Sequence, residues 1–475
     1  MSESRYWSSL AYGGALLLSA TLGYFLLRIP IQTTDCFTNM LELDGSFMDV
    51  MRTGIQPGYL RPGLWAQLKV VYDLSQGEYF YWFRWTAAVQ VLLVLVPFAG
   101  LVRPQTAVAA LVFPLSLAVL VGHHAFAWTI REAFPVNAYL TNVIFCALAV
   151  NLAIGTHRWW KDVAAALIFI AAVSSVESGL LVGVIVIVGY ALGMRGISRA
   201  GVLTVGALIA GYFVLRFVVL DTGTPTLFDR EASFGFHRYG GGDLTRMFPG
   251  TRVYLFYAYN VVSALVGLLF AEPRDGMWRL TRSILQGHLD LPLIIGLLSS
   301  TTATILIGRY TWVRRHAWRR WELDRGDRIV MLSILVILAN AAISFAYTKD
   351  VIMSPAGYFY AAAFFVACHD FLERFSTDAA GAHVRSMAPA LGVAVMLLLS
   401  VTWTIRAVGL HAALTQTAYK VRQQWAYFDG YIERKYTPVP PKVRALKTHL
   451  QSDAVIVHPG TPEMREEWTP LFEMD

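Results

Sequence analysis

Apolar stretches of about 20 residues, the length a helix needs to cross a bilayer, recur along most of this sequence. The candidates are 8–28, 80–100, 105–122, 136–155, 163–175, 179–194, 202–219, 291–308, 329–346, 355–371 and 387–405. In lipid every backbone polar group must find its partner internally, so stretches of this kind are read as helices. The expected fold class is an all-α polytopic membrane protein with about 11 transmembrane helices. Composition agrees: of 475 residues, 56% are hydrophobic and only 15% charged. A soluble domain carries about 25% charged residues. That difference excludes an ordinary soluble enzyme, collagen, a disordered chain and a small disulfide scaffold.

The stretch 163–194 is too long for one span. Ser174, Ser175, Glu177, Ser178 and Gly179 interrupt it, which predicts two short helices meeting at a tight turn, with a single kinked helix as the alternative. The N-terminus has one early Arg5 and no convincing cleavage site, so the first apolar run is expected to stay as a helix. Cys36, Cys146 and Cys368 have no metal-type spacing and form no framework.

The net charge of +7 does not point to nucleic acid, because Lys and Arg sit mainly in short connectors. Such residues favour the cytoplasmic side. Arg103, Arg158, Lys161, Arg195, Arg199 and the block 309–328 are then inside, and the N-terminus is cytoplasmic. The first outer loop, 29–79, is acidic by contrast, with Asp35, Glu42, Asp44, Asp49, Asp73 and Glu78. If 252–271 spanned, the basic block would lie outside, so that segment is expected to lie on, or dip into, the outer face. The excursion 221–290 is then wholly outer. The expected organisation is a transmembrane module over 1–405 and a short extracytoplasmic tail over 406–475. The expected location is the inner, or plasma, membrane.

Several outer segments bring polar chemistry to one face. Asp35 follows the first helix; a carboxylate there can act as a general base or be a solvated loop residue. Asp44 and Asp49 are near rivals. Arg61, in GYLRPG with Tyr59, can hold a phosphate through two parallel N–H bonds, or be an interfacial turn residue. The segment GHHAFAWTIREAFPVNAY at 122–139 gathers His123, His124, Arg131 and Glu132. A zinc site needs three or more converging ligands, so two adjacent histidines favour interfacial polar residues over a metal. Glu177 occupies the turn SSVESG, where a helix-cap role is the alternative. Lys349 in YTKD can neutralise a phosphate or snorkel.

The order of these features resembles the superfamily of polytopic glycosyltransferases with the C-type fold (GT-C). The shared pieces are the acidic residue after helix one, the Y-x-R-P loop, the segment E-x-F-P-x-N and the Ser-x-Glu-Ser-Gly turn. The chain is most similar to the tetratricopeptide-bearing protein O-mannosyltransferases and their bacterial relatives, and more distantly to lipid A aminoarabinose transferases. It departs from them in three places. Cys36 follows Asp35 where a second acid is common, Val176 stands where a lysine is usual, and no tetratricopeptide repeats follow.

The resemblance implies an inverting transferase that moves a sugar from a polyprenyl-phosphate donor to a glycan, lipid or protein acceptor on the outer face. It implies Asp35 as base on the acceptor hydroxyl, Glu132 as a second acidic position and Arg61 on the departing phosphate, with Lys349 there by a looser match. Tyr59, Asp44, His123, His124, Arg131 and Glu177 are expected to support the site. No cofactor is expected, and a divalent metal is not indicated. Membrane lipids are expected partners. A transporter or lipid flippase is the alternative, as is a surface-polysaccharide polymerase or ligase built around 221–290.

Overall fold

The computed structural model describes residues 3–33, 35–56, 59–131, 137–220, 246–270, 291–346, 350–381 and 388–456, with short pieces between 232 and 289. The chain is all-α, its strands confined to two short hairpins, Ile55–Gln56 with Tyr59–Leu60 (β1 and β2) and Ala232–Phe234 with His237–Tyr239 (β3 and β4). Eight helices among the described residues are long and apolar enough to cross a membrane. A ninth span is possible if a pair bent by 63° is one unit, and two further apolar helices, Ala138–Ala153 and Glu177–Ala191, are shorter.

The bundle starts with α1 (Glu3–Leu26). The first long loop then folds as α2 (Asp35–Glu42), α3 (Phe47–Thr53) and α4 (Pro62–Ser75). Next come α5 (Tyr79–Val102), α6 (Ala107–Gly122), α7 (His124–Arg131), α8 (Ala138–Ala153), α9 (Trp159–Val173), α10 (Leu180–Ala191) and α11 (Arg199–Val214). The second half contains α12 (Arg252–Phe270), α13 (Leu291–Arg319), α14 (Arg325–Ile343), α15 (Ser354–Gly381), α16 (Ala388–Ala426), α17 (Asp429–Lys435) and α18 (Pro441–Ile456). A helix apolar on every side belongs in the middle of a bundle. That helix is α15: Ala356 and the run Tyr358–Phe364 are at most 1% exposed, enclosed mainly by α14, α6 and α13.

One end of the bundle is locked by ions. Asp327, fully buried, accepts from Arg314 Nη2 (2.6 Å), Arg314 Nε (3.0 Å), Trp318 Nε1 (2.8 Å) and Tyr310 Oη (3.0 Å). Asp324 and Asp327 also form a capping box that starts α14, which explains why the chain turns sharply inside the basic block. The opposite end, called here the loop face, carries the first long loop.

Three comparisons with the sequence expectations stand out, two differences and one agreement. The stretch predicted to lie on or dip into a surface is α12, itself long and apolar enough to span. It stands against α13 and α14 instead of lying flat. One part of it meets the residues after α14, where Asn260 Nδ2 donates to Phe345 O (3.0 Å). Its far end reaches the middle of α13, where Thr304 Oγ1 donates to Leu269 O (2.6 Å). The apolar pattern alone does not reveal this depth, because it is the same for a dipping and a crossing helix.

Second, the boundary expected at 405/406 does not exist as a break: α16 runs through it to Ala426. Only then do α17 and α18 turn back, separated by the TPVPP segment. Third, α9 is only 15 residues long and α10 only 12, so the predicted pair is two short helices, as the broken 163–194 pattern suggests.

The tail does not hang loose. Phe37 and Met40 of α2, Leu43 just after it and Leu68 of α4 pack against Val421, Trp425, Phe428, Ile432, Val443 and Leu450. Trp425 is 2% exposed, its indole N–H donates to Ile31 O, and Gln451 Nε2 donates to its carbonyl (2.7 Å). Trp425→Ala removes the largest side chain from this cluster. The expected cost is about 3–5 kcal/mol, concentrated at the loop face. Limited proteolysis in detergent should then cut residues 29–79 and 427–456 faster, while the bundle fragments survive.

Candidate functional site

The site is built where the first loop lands on the turn between α9 and α10. Pro62 opens α4, a position where its missing N–H costs nothing, and it leaves Arg61 at the N-cap. The Gly63 N–H donates to Ser174 O (2.8 Å). A Cβ on Gly63 would stand 2.2 Å from Ser174 Oγ, so only glycine lets the two segments meet. Gln67 Nε2 adds a bond to Ser175 Oγ (2.9 Å). On the other side, Gly179 packs so tightly on Ala172 that a Cβ would come within 2.3 Å of its backbone. Asn142 Nδ2 donates to Ser178 Oγ (2.9 Å) and fixes the turn to α8.

This docking brings Arg61 onto Glu177. Nη2 and Nε of Arg61 both donate to Oε2, at 2.7 and 3.2 Å. A second guanidinium, Arg216, lies 3.6 Å from Oε1 and donates to Tyr212 Oη (2.6 Å). Burial pushes the Glu177 carboxyl up, but Arg61, with Arg216 behind it, outweighs burial and holds it below the ordinary carboxylate range. Among the described residues, two guanidinium groups thus share this one carboxylate.

The predicted site residues separate into groups. Arg61 and Glu177 are brought together. Asp35 opens α2 directly after α1, but its side chain, like that of Tyr59, lies outside the described residues. Glu132 and Lys349 lie outside them altogether. Asp44 is exposed and faces Lys442 of α18 at 3.9 Å, a contact within the loop–tail unit.

His123 and His124 do not lie in an open outer loop. They form the elbow between α6 and α7, which is itself helical and folded back by 63°, and both are buried. His123 Nε2 donates to Leu268 O (2.8 Å) while Nδ1 accepts from the Ala125 N–H (3.3 Å), so the ring is held as one neutral tautomer. His124 faces Asp350 at 3.6 Å. These rings tie α12 and the short 3-10 turn Asp350–Met353 before α15 to the elbow. Arg131 lies over the Trp128 ring (4.2 Å) and lines a small cavity with Arg406.

Sequence reasoning missed Arg216, Asp350 and Arg406. Arg216 and Arg406 each end or interrupt an apolar run, and a charge in such a place is a functional signal by default. Among the described residues, no three His, Cys, Asp or Glu side chains converge as metal ligands would.

Glu177→Gln keeps the shape of the side chain and removes its charge. It should cost about 1.5–3 kcal/mol by weakening charge-assisted hydrogen bonds, read as a lower Tm in detergent. Because the folded carboxyl titrates below the unfolded one, its contribution is present above the ordinary glutamate value, about 4.3. It is lost as pH falls through the lower folded value. The Tm gap between wild type and Glu177→Gln should therefore shrink on acidification. A gap that widens at low pH would contradict the assignment.

No known protein family matches this sequence, and no curated protein and no solved structure matches it.

Proposed function

We propose that this protein is an integral membrane glycosyltransferase of the C-type fold. It takes a sugar from a polyprenyl-phosphate donor and passes it, with inversion, to an acceptor at the loop face, which is the extracytoplasmic side. The observation that supports this reading best is the meeting of Arg61 and Glu177, 116 residues apart, with Arg216 as a second cation on the same carboxylate. A group transfer from a lipid phosphate needs such a cluster, since negative charge grows on the leaving phosphate.

In this mechanism Asp35 takes the proton from the acceptor hydroxyl as the hydroxyl attacks the anomeric carbon. The bond from that carbon to the phosphate oxygen breaks, and the electron pair leaves with the lipid phosphate. Arg61, with Arg216 sharing the Glu177 carboxylate, stabilises that charge. Glu177 positions the two guanidinium groups and does not touch the reacting atoms. Glu132 is the second acid near the acceptor, and Lys349 a further phosphate contact. The α17–α18 unit covers the first loop and forms one wall for the acceptor.

The test is transfer from a labelled polyprenyl-phosphate sugar in membranes containing the purified protein. Asp35→Asn should lower turnover by about 10²–10⁴-fold, the usual worth of a positioned base, with donor binding unchanged. Turnover like wild type would remove Asp35 from the role. Movement of the lipid across proteoliposomes without covalent transfer would favour a flippase.

A further inference from the structure

The cavity at the α6–α7 elbow is separate from the Arg61–Glu177 cluster. Gly122, Trp128 and Arg131 line it from one side, Pro292 to Gly296 of α13 from another, and Arg406, Gly409 and Leu410 of α16 close it. Its volume is about 60 Å³. By this measure one water needs about 10–15 Å³, so the cavity has room for a group the size of a tetrahedral oxyanion.

Arg406 is the unusual element. Its Nε donates to Gly122 O (3.0 Å), its Nη1 to Ser299 and Ser300 Oγ (both 2.8 Å), and its guanidinium lies 4.0 Å over the Trp403 ring. All of these partners are neutral. Nη2 is shut off from solvent and has no hydrogen-bond partner among the described residues. No carboxylate among them comes within ion-pair distance of Arg406. A cation inside an apolar helix is costly unless a counter-charge reaches it. A second guanidinium, Arg131, lines the same cavity.

The level of the site is fixed by Phe25. It lies at the end of α1 and meets the His411 ring at 4.1 Å, so Arg406 sits just over one helical turn inside the loop-face end of the bundle. The helices that form the rim turn apolar side chains outward: Leu291 (54% exposed) and Leu298 on α13, Ile405 and Val408 (54%) on α16. The occupant is therefore anionic at its buried end and apolar where it leaves the cavity. Soluble anions fail the second condition and neutral lipids the first.

We infer that the elbow cavity binds the phosphate of a membrane lipid, with Arg406 and Arg131 on the headgroup and the chain lying along the α13–α16 seam. The geometry suits phosphate because a guanidinium offers two parallel donors to an oxyanion. This site goes beyond the proposed transfer and stands without it, since binding here needs no sugar donor or acceptor.

The experiment is native mass spectrometry of the full-length protein in mild detergent. The probes are phosphatidate, the diacylglycerol with the same chains, inorganic phosphate and a long-chain polyprenyl phosphate. Phosphatidate should be retained at least about tenfold better than diacylglycerol, a gain equal to about 1.4 kcal/mol, and inorganic phosphate should not displace it at equal concentration. Arg406→Gln should lose most of that gain, and Arg406→Lys should keep part of it. Gly409→Leu should block the cavity with every charge left in place, and it carries the test if Arg406→Gln fails to fold. Polyprenyl phosphate binding better than phosphatidate would name the lipid as a carrier, and the reverse would name it as a phospholipid; both support the site. Equal retention of diacylglycerol, displacement by inorganic phosphate, or retention like wild type in both Arg406→Gln and Gly409→Leu would overturn it. Sugar transfer enters none of these readouts, so the fate of the transferase reading is decided separately.

Discussion

The arrangement of the loop face depends on one close approach, the backbone of Gly63 against that of Ser174. Helices α9 and α10 are too short to project far, so their junction is a shelf, and the first loop is laid onto it. Once Gly63 is seated, Arg61 is carried to Glu177 by the geometry of the α4 N-terminus rather than by a search of side-chain rotamers. The carboxylate is then largely enclosed (16% exposed). An enclosed carboxylate without partners would lose its hydration uncompensated. The seat and the ion pair are therefore mutually dependent: the glycine sets the distance, and the charges make that distance favourable.

The same loop is held on its other side by the tail. Helix α16 continues past the level where α1 ends and delivers Trp425 to Ile31 and Phe37. The loop helices are thus layered between the shelf and α17–α18. A loop of this length tethered only at its ends would keep much of its conformational entropy. Anchored on both faces, it holds α2 and the N-terminus of α4, and with it Arg61, at fixed places relative to the bundle.

Much of the helical pattern was legible because membrane burial acts on whole stretches of sequence. The break in 163–194 showed in the clustering of serines and Gly179, residues that end a helix for local reasons. Glu177 and Arg61 were visible because each lay in a turn motif. What the sequence hid were relations that depend on three dimensions. Nothing local distinguishes a helix that dips into a face from one that, like α12, stands against the bundle. Nor does periodicity mark the change at 405/406, since α16 leaves the apolar zone without leaving the helix. His123 and His124 read as loop residues because a 63° elbow with no proline at the bend has no composition signature. Arg216 and Arg406 were passed over because each is a single charge in an otherwise apolar context.

The cations of the bundle are answered in more than one way. At the basic end, Arg314 answers Asp324 and Asp327, while Arg374 and Arg309 answer Asp370. Other cations at that end meet neutral groups: Arg325 Nη2 donates to Leu101 O (2.7 Å), and Lys161 Nζ to Leu152 O and Ile154 O. At the loop face, Arg61 and Arg216 share Glu177, and the described partners of Arg406 are neutral oxygens and a ring. A bundle that needed these arginines only for stability would be served better by apolar side chains of similar volume. Arg406, whose Nη2 is buried without a hydrogen-bond partner among the described residues, is a cation that a counter-charge arriving with a ligand would stabilise.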